Sequence, residues 1–189
     1  EQGARCKPEN SNWLPFIRNA VGPMDFTPGS MFSAQPEDNR STGANPMGTG
    51  TRAYQMALYV VFESPLQMLA DNPVLYRREH PCTEFLAAVP TTWDSLRVLR
   101  AACGREVVVA RRKGDKWYVG GITNDRPYTT EIALDFLPAG RTFTMTSFED
   151  GVNADLQATD YRKRVREVDA STVVKVEMVR NGGWAAVIE

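Results

Sequence analysis

Apolar residues first recur at helical spacing over Trp13–Val21, where Trp13, Leu14, Phe16, Ile17, Ala20 and Val21 fall three and four apart. Ser11 or Asn12 stands where a helix cap belongs, and Gly22 stops the pattern. The next eight residues read G-P-M-D-F-T-P-G, a short run enclosed by two glycine–proline pairs. Proline donates no amide and glycine frees the backbone, so both ends turn. Met24–Thr27 has room only for a very short, buried strand, and it carries one carboxylate, Asp25. Residues 30–50 are rich in Ser, Gly, Pro and Asn, a loop long enough to be either disordered or functional.

The strongest helical pattern begins after Thr49 or Thr51 and places Tyr54, Ala57, Leu58 and Val61 on one side. It runs through Phe62, breaks at Pro65, resumes at Leu66–Ala70 and closes at Asn72-Pro73. A helix this apolar suits packing on a sheet better than exposure to water. A further helical piece is expected around Thr83–Val89, with Pro90-Thr91-Thr92 as a turn.

Beyond Trp93-Asp94 the period changes from helical to alternating. Leu96–Val98, Val107–Val109, Trp117–Ile122, Ile132–Phe136, Phe143–Met145, Val173–Val179 and Trp184–Ile188 read as strands, with Lys113-Gly114-Asp115 and Asp150-Gly151 as tight turns. Short strands separated by turn signals make an antiparallel β-sandwich. The chain therefore divides into residues 1–93, an α/β part, and residues 94–189, an all-β part. A single strand makes no sheet, so the α/β part is expected to be the tail of a domain whose remainder lies upstream. Its opening at Glu1-Gln2-Gly3, without Met or an export signal, agrees with that expectation.

Composition narrows the partners. A formal net charge of -1 argues against nucleic acid or an anionic membrane as the main partner, and no apolar run approaches a membrane span. Cys6, Cys82 and Cys103 are odd in number and widely spaced, which fits neither a disulfide framework nor a CxxC metal site.

The candidate chemistry is carboxylate chemistry. Barrels of alternating strands and helices place function at the carboxyl ends of strands and in the loops that follow, where Asp25 would stand. The bland alternative is that Asp25 caps its own turn. Glu1 and Glu9 lie in the loop before the first helix, where a carboxylate could act as a general acid or simply be solvated. His80 is the only histidine, in a charged helix end, so no nucleophile–histidine pair has a second candidate. Arg111-Arg112-Lys113 reads as a solvated hairpin turn, and Trp117, Tyr118 and Trp184 as core residues rather than a sugar platform.

Five stretches in order resemble one family. They are L-P-F-I-R-N-A-V-G-P-M-D-F-T-P-G (Leu14–Gly29), G-T-R-A-Y-Q-M-A-L-Y-V-V-F-E-S-P-L-Q-M-L-A-D-N-P (Gly50–Pro73), V-P-T-T-W-D (Val89–Asp94), V-V-A-R-R-K-G-D-K-W-Y-V-G-G-I-T (Val108–Thr123) and F-E-D-G-V-N-A-D (Phe148–Asp155). The chain resembles the C-terminal portion of glycoside hydrolase family 97. The resemblance implies the tail of a catalytic (β/α)8 barrel over residues 1–93 and a β-sandwich over 94–189. It implies a calcium-dependent α-glycosidase acting on oligosaccharides, with α-glucosidic bonds favoured by the Gln55–Pro73 segment and a retaining α-galactosidase as the alternative. A non-catalytic carbohydrate-binding or structural sandwich is the reading from a different class.

By the same resemblance Glu1, followed by Gln2, falls on the family's general acid, which also approaches the calcium ion. Asp25 falls at the end of the last barrel strand, lining or supporting the substrate pocket. The other carboxylate and most calcium ligands are implied to lie outside this chain, so the piece alone is expected to be inactive. A periplasmic or secreted location is implied likewise.

Overall fold

The computed structural model describes residues 7–43 and 45–189. Short helices α1 (Pro8–Ser11) and α2 (Leu14–Ile17) and a 3-10 turn at Asn19–Val21 lead in. Two-residue strands β1 (Ser33–Ala34) and β2 (Gly48–Thr49) precede helix α3 (Arg52–Val61), followed by α4 (Pro73–Arg78) and α5 (His80–Ala88). Eight strands then follow: β3 (Ser95–Ala102), β4 (Glu106–Lys113), β5 (Lys116–Thr123), β6 (Tyr128–Ala133), β7 (Phe143–Asp150), β8 (Tyr161–Val168), β9 (Val173–Met178) and β10 (Gly183–Ile188).

Six of these strands form one antiparallel sheet in the order β3-β4-β5-β10-β7-β8, and β6 pairs antiparallel with β9 in a separate ribbon. Successive strand residues point to opposite faces, and here both faces are covered. On β4, Val107 and Val109 join the cluster of α3, whereas Val108 and Ala110 join Ile132, Val174 and Val176 of the ribbon. The layers run helix, six-stranded sheet, ribbon. That explains why β4 and β5 are buried almost throughout, while β9 alternates strictly between buried and exposed. The antiparallel sandwich expected in the later part of the chain is present, in strands β3 to β10.

Helix α3 is buried at all ten positions, and each large apolar side chain so placed contributes roughly 1.5–3 kcal/mol. Its start is set by Thr51, whose hydroxyl accepts from the Tyr54 amide at 3.0 Å. The helix reaches the sheet because glycines face it. A Cβ on Gly183 would lie 2.3 Å from the Tyr54 Cα, and one on Gly120 would lie 2.8 Å from the Val60 Cβ. One apolar cluster consequently runs from Met24 through α3 to Ala185, joining residues on both sides of position 93.

Asp150 ties that helix to the sandwich. Its carboxylate is fully buried and accepts from the Thr51 hydroxyl at 2.6 Å and from the Val179 and Gly183 amides at 3.0 and 3.1 Å. Burial pushes the carboxyl up to about 7, although all three donors favour its ionised form. Asp150-Gly151 is thus more than the turn that its sequence announces.

Five elements depart from expectation. Asn72-Pro73, expected to close a helix, instead starts α4, the Asn72 side chain accepting from the Val74 and Leu75 amides. The helix expected over Trp13–Val21 is broken, because Asn19 turns the chain by donating to the carbonyls of Gly22 and Glu63 and accepting from the Glu63 amide. Leu66–Ala70 is extended rather than helical, since its amides at Met68 and Ala70 donate to the carbonyls of Phe26 and Pro28. The strand expected over Ile132–Phe136 begins earlier and ends at Ala133, with Leu134 accepting a turn bond from Leu137. Strand β8 shows no apolar alternation because Arg162, Arg164 and Arg166, at alternate positions, all reach the buried Glu149 within 3.4 Å.

Two outcomes test this packing. Gly183→Ala forces backbone against backbone and should cost about 2 kcal/mol or more, read as a lowered Tm. Asp150→Ala strands a hydroxyl and two amides, at ~1–3 kcal/mol each. Wild-type Asp150 holds its proton up to about pH 7 when folded, against 3.8 for a free carboxyl. Folding therefore takes up a proton in that window, and stability falls as pH rises through it. Asp150→Asn should flatten that slope, measured by denaturant unfolding at pH 4.5 and 7.5; an unchanged slope would show that Asp150 ionises normally.

Candidate functional site

Two extended segments run side by side and parallel. The Met24 amide donates to Glu63, Phe26 bridges Gln67, and the Ala70 amide donates to Pro28. Helix α3 lies between them in sequence, so strand, helix and strand form a parallel crossover unit. At the carboxyl ends of both segments is a small pocket of about 40 Å3, lined by Phe26, Thr27, Ser30, Met47, Gly48 and Gln55 among others. Carboxyl ends of parallel segments are where folds of this kind place ligands.

The backbone around this pocket is held by polar side chains from α3 and from the segment after it. The Gln55 side chain accepts from the Gly29 amide at 3.2 Å and donates to the Thr49 carbonyl at 3.0 Å. Arg52 donates twice to the Met31 carbonyl and pairs with Glu79 at 2.9 Å. The Tyr59 hydroxyl lies 3.0 Å from the carbonyls of both Pro28 and Met68, between which its single proton is shared, and the Tyr76 hydroxyl donates to Gly29. Burial holds the Tyr59 phenol far above its usual range and pushes Tyr76 up to about 12, so both stay neutral donors. Asp71, just past the second segment, accepts from the Met31 and Phe32 amides at 2.9 and 3.2 Å. Among the described residues, the pocket lining holds hydroxyls and an amide but no carboxylate or histidine. These residues can shape and hydrogen-bond a ligand, and none of them is a carboxylic acid that could protonate a leaving group.

The sequence candidates are dispersed. Glu1, expected as general acid and calcium ligand, lies outside the described residues, as does Cys6. Asp25 is exposed, not buried as its apolar neighbours suggest, because the strand side chain before it, Met24, takes the inward position. Glu9 is exposed on α1, and His80 is exposed beside Glu84 at 3.5 Å. Arg111 corrects the solvated-turn reading. It is buried on β4, donates to the Val61 carbonyl and lies 5.8 Å over the Trp93 ring. Trp117, Tyr118 and Trp184 are buried in the two cores. Cys82 is buried, with its thiol pushed up to about 11 by burial, and Cys103 is exposed.

The residues that reading the sequence missed are the polar holders. Arg52, Gln55 and Tyr59, spaced three and four apart, stand as one polar stripe on an otherwise apolar helix. That stripe was the available signal.

Comparison with known proteins agrees with this architecture. Residues 92–189 match the family model described as Glycosyl-hydrolase 97 C-terminal, oligomerisation. A retaining alpha-galactosidase of Bacteroides thetaiotaomicron is 43% identical over 176 residues, 93% of this chain and 26% of that relative. A probable retaining alpha-galactosidase of Streptomyces bingchenggensis is 32% identical over 174 residues, 92% of this chain and 25% of that relative. A solved structure of a glycoside hydrolase family 97 enzyme from Pseudoalteromonas sp. strain K8, in complex with acarbose, superposes with a TM-score of 0.86. It is 37% identical and covers 97% of this chain and 28% of its own. The chain thus spans about a quarter of the length of these relatives. With the family model matching more than half of its residues, from the strands of the sandwich to Glu189, the chain belongs to glycoside hydrolase family 97.

Proposed function

We propose that this chain is part of a calcium-dependent α-glycosidase, in which residues 1–93 complete a (β/α)8 barrel and residues 94–189 buttress it. The observation that carries the reading is the parallel unit of Met24–Pro28, α3 and Glu63–Ala70, in a chain that belongs to this family. In a barrel these would be two consecutive strands. The Gly22–Gly29 run would then be followed by one more strand instead of closing the barrel itself. The pocket at their carboxyl ends would form one wall of the substrate cleft.

In this reading Glu1 protonates the glycosidic oxygen as the sugar–oxygen bond breaks. A second carboxylate, in the portion of the relatives that this chain does not span, attacks the anomeric carbon directly or through water. Asp25, exposed on the first segment, contacts the sugar in this reading. The two relatives named as retaining α-galactosidases weigh toward α-galactosides and direct attack, with α-glucosides as the second substrate class. Calcium needs some six to eight oxygen ligands. Among the described residues no three Asp, Glu, His or Cys come together, so they do not fit a calcium site. The ion would be held by Glu1 and by carboxylates outside the described residues. A periplasmic or secreted location completes the proposal; no described helix is long and apolar enough to cross a membrane.

The test uses the intact protein, p-nitrophenyl α-galactoside and α-glucoside, and the matching disaccharides, with and without chelator. Hydrolysis should fall when calcium is removed. Glu1→Gln should slow disaccharide hydrolysis about 100-fold or more, the worth of general acid catalysis. The p-nitrophenyl glycosides, whose leaving group needs little protonation, should slow less. Undiminished disaccharide turnover in Glu1→Gln would remove Glu1 from the role.

A further inference from the structure

We propose that the sandwich sets the shape of the sugar-binding pocket, through a polar clamp in which Gln35 and Asn181 are positioning residues. The proposal rests on the glycosidase reading above.

The clamp is built from two loops of the sandwich, residues 151–160 and the turn between β9 and β10. The Gln35 side chain, 1% exposed, donates to the carbonyls of Ala154 and Arg180 at 3.2 Å each. It accepts from the Asn181 side chain at 2.9 Å. On the other side of the loop the Thr51 amide donates to the Asn181 carbonyl at 2.9 Å and the Arg52 amide to the Ala158 carbonyl at 2.8 Å. Arg180 also pairs with Glu37 at the surface. Asn181 is the one described non-glycine residue with positive φ, at 53°. That left-handed turn aims its side chain at Gln35 and its carbonyl at Thr51. A Cβ on Gly50 would lie 2.8 Å from that same carbonyl, so the loop is seated directly on the turn.

What is seated is the pocket wall. Ser33 and Ala34, next to Gln35, pair in parallel with Gly48 and Thr49, both of which line the pocket. Asn39 adds bonds to the Gly48 carbonyl and the Thr49 hydroxyl at 3.3 and 3.1 Å. Three polar groups that 119 to 146 residues of chain separate from Gln35 therefore converge on its side chain, beside the strand pair that carries the pocket wall. An apolar contact would hold the loop near the sandwich; directed bonds on both flanks fix where its backbone lies.

The test compares Gln35→Ala and Asn181→Gly in the intact protein. Glycine keeps the left-handed turn while removing the side chain. Val174→Ala, in the remote ribbon layer, serves as the control that loosens the sandwich alone. The clamp variants should raise KM about three- to tenfold with a smaller change in kcat, and should speed amide exchange over residues 35–41 and 47–50. Val174→Ala should lower Tm without either effect. Unchanged KM and unchanged exchange in both clamp variants would overturn the proposal. If the wild-type protein hydrolyses neither α-galactoside nor α-glucoside, the glycosidase reading fails. The exchange measurement then decides by itself whether the sandwich holds the loop.

Discussion

The structure depends on helix α3 being buried on every side, with its first turn anchored in a different part of the chain. Thr51 caps the helix through the Tyr54 amide and donates to Asp150, which in turn collects the amides on either side of the β9–β10 turn. An unpaired carboxylate at that depth would be costly. Three donors make it tolerable, and they also make it specific, because only one placement of helix against sheet satisfies all of them. Gly120 and Gly183 then let the helix come close enough to bury its apolar side chains on the sheet. Helix, sheet and ribbon are one packed stack, and its apolar cluster ignores the change of pattern at Trp93-Asp94.

Charge is handled in the same way at the sheet's far edge. Glu149 is buried on β7, and three arginines from the edge strand β8 converge on it. Each of those arginines is partly exposed, so the pairs shield a buried acid and also leave the edge cationic. A charged edge strand resists pairing with another sheet. Arg111 solves a different problem, lying against the Trp93 ring and donating to the carbonyl of Val61, the last residue of α3. In each case a residue type that reads as surface is interior because its partner is.

Much of the fold was legible. The period-2 runs located seven of the eight strands of residues 95–189, and Thr51 and Gly22 marked helix ends where the structure has them, whereas Asn72-Pro73, read as the close of a helix, starts one. Strand β8 was not legible, because its alternation is of arginines that face a buried Glu149, and a polar run looks like a loop. Leu66–Ala70 misled for the opposite reason. Its apolar spacing continues the helix, but its amides are taken by Phe26 and Pro28, forty residues earlier. Of the site, the polar stripe Arg52, Gln55 and Tyr59 left a signal that reading the sequence missed, and Asp25, singled out in the sequence, is exposed and off the pocket lining. The convergence of Asp71, Gln35 and Asn181 on the pocket loop could not, since each bond spans a long stretch of chain.

By itself the sequence determined what local physics can determine: where proline and glycine end elements, which runs alternate, which helix is too apolar for water, and which family the motifs resemble. Only the tertiary structure decided which polar residues are buried and what they hold. The reason is one of range. Propensity and periodicity act over a few residues, whereas the partners of Asp150, Glu149 and Asn181 are set by how layers stack. The run Gly22–Gly29 shows both sides. Its turns were written in its residues, while its neighbour, its exposed carboxylate and its place beside a pocket came from the parallel segment that packs against it.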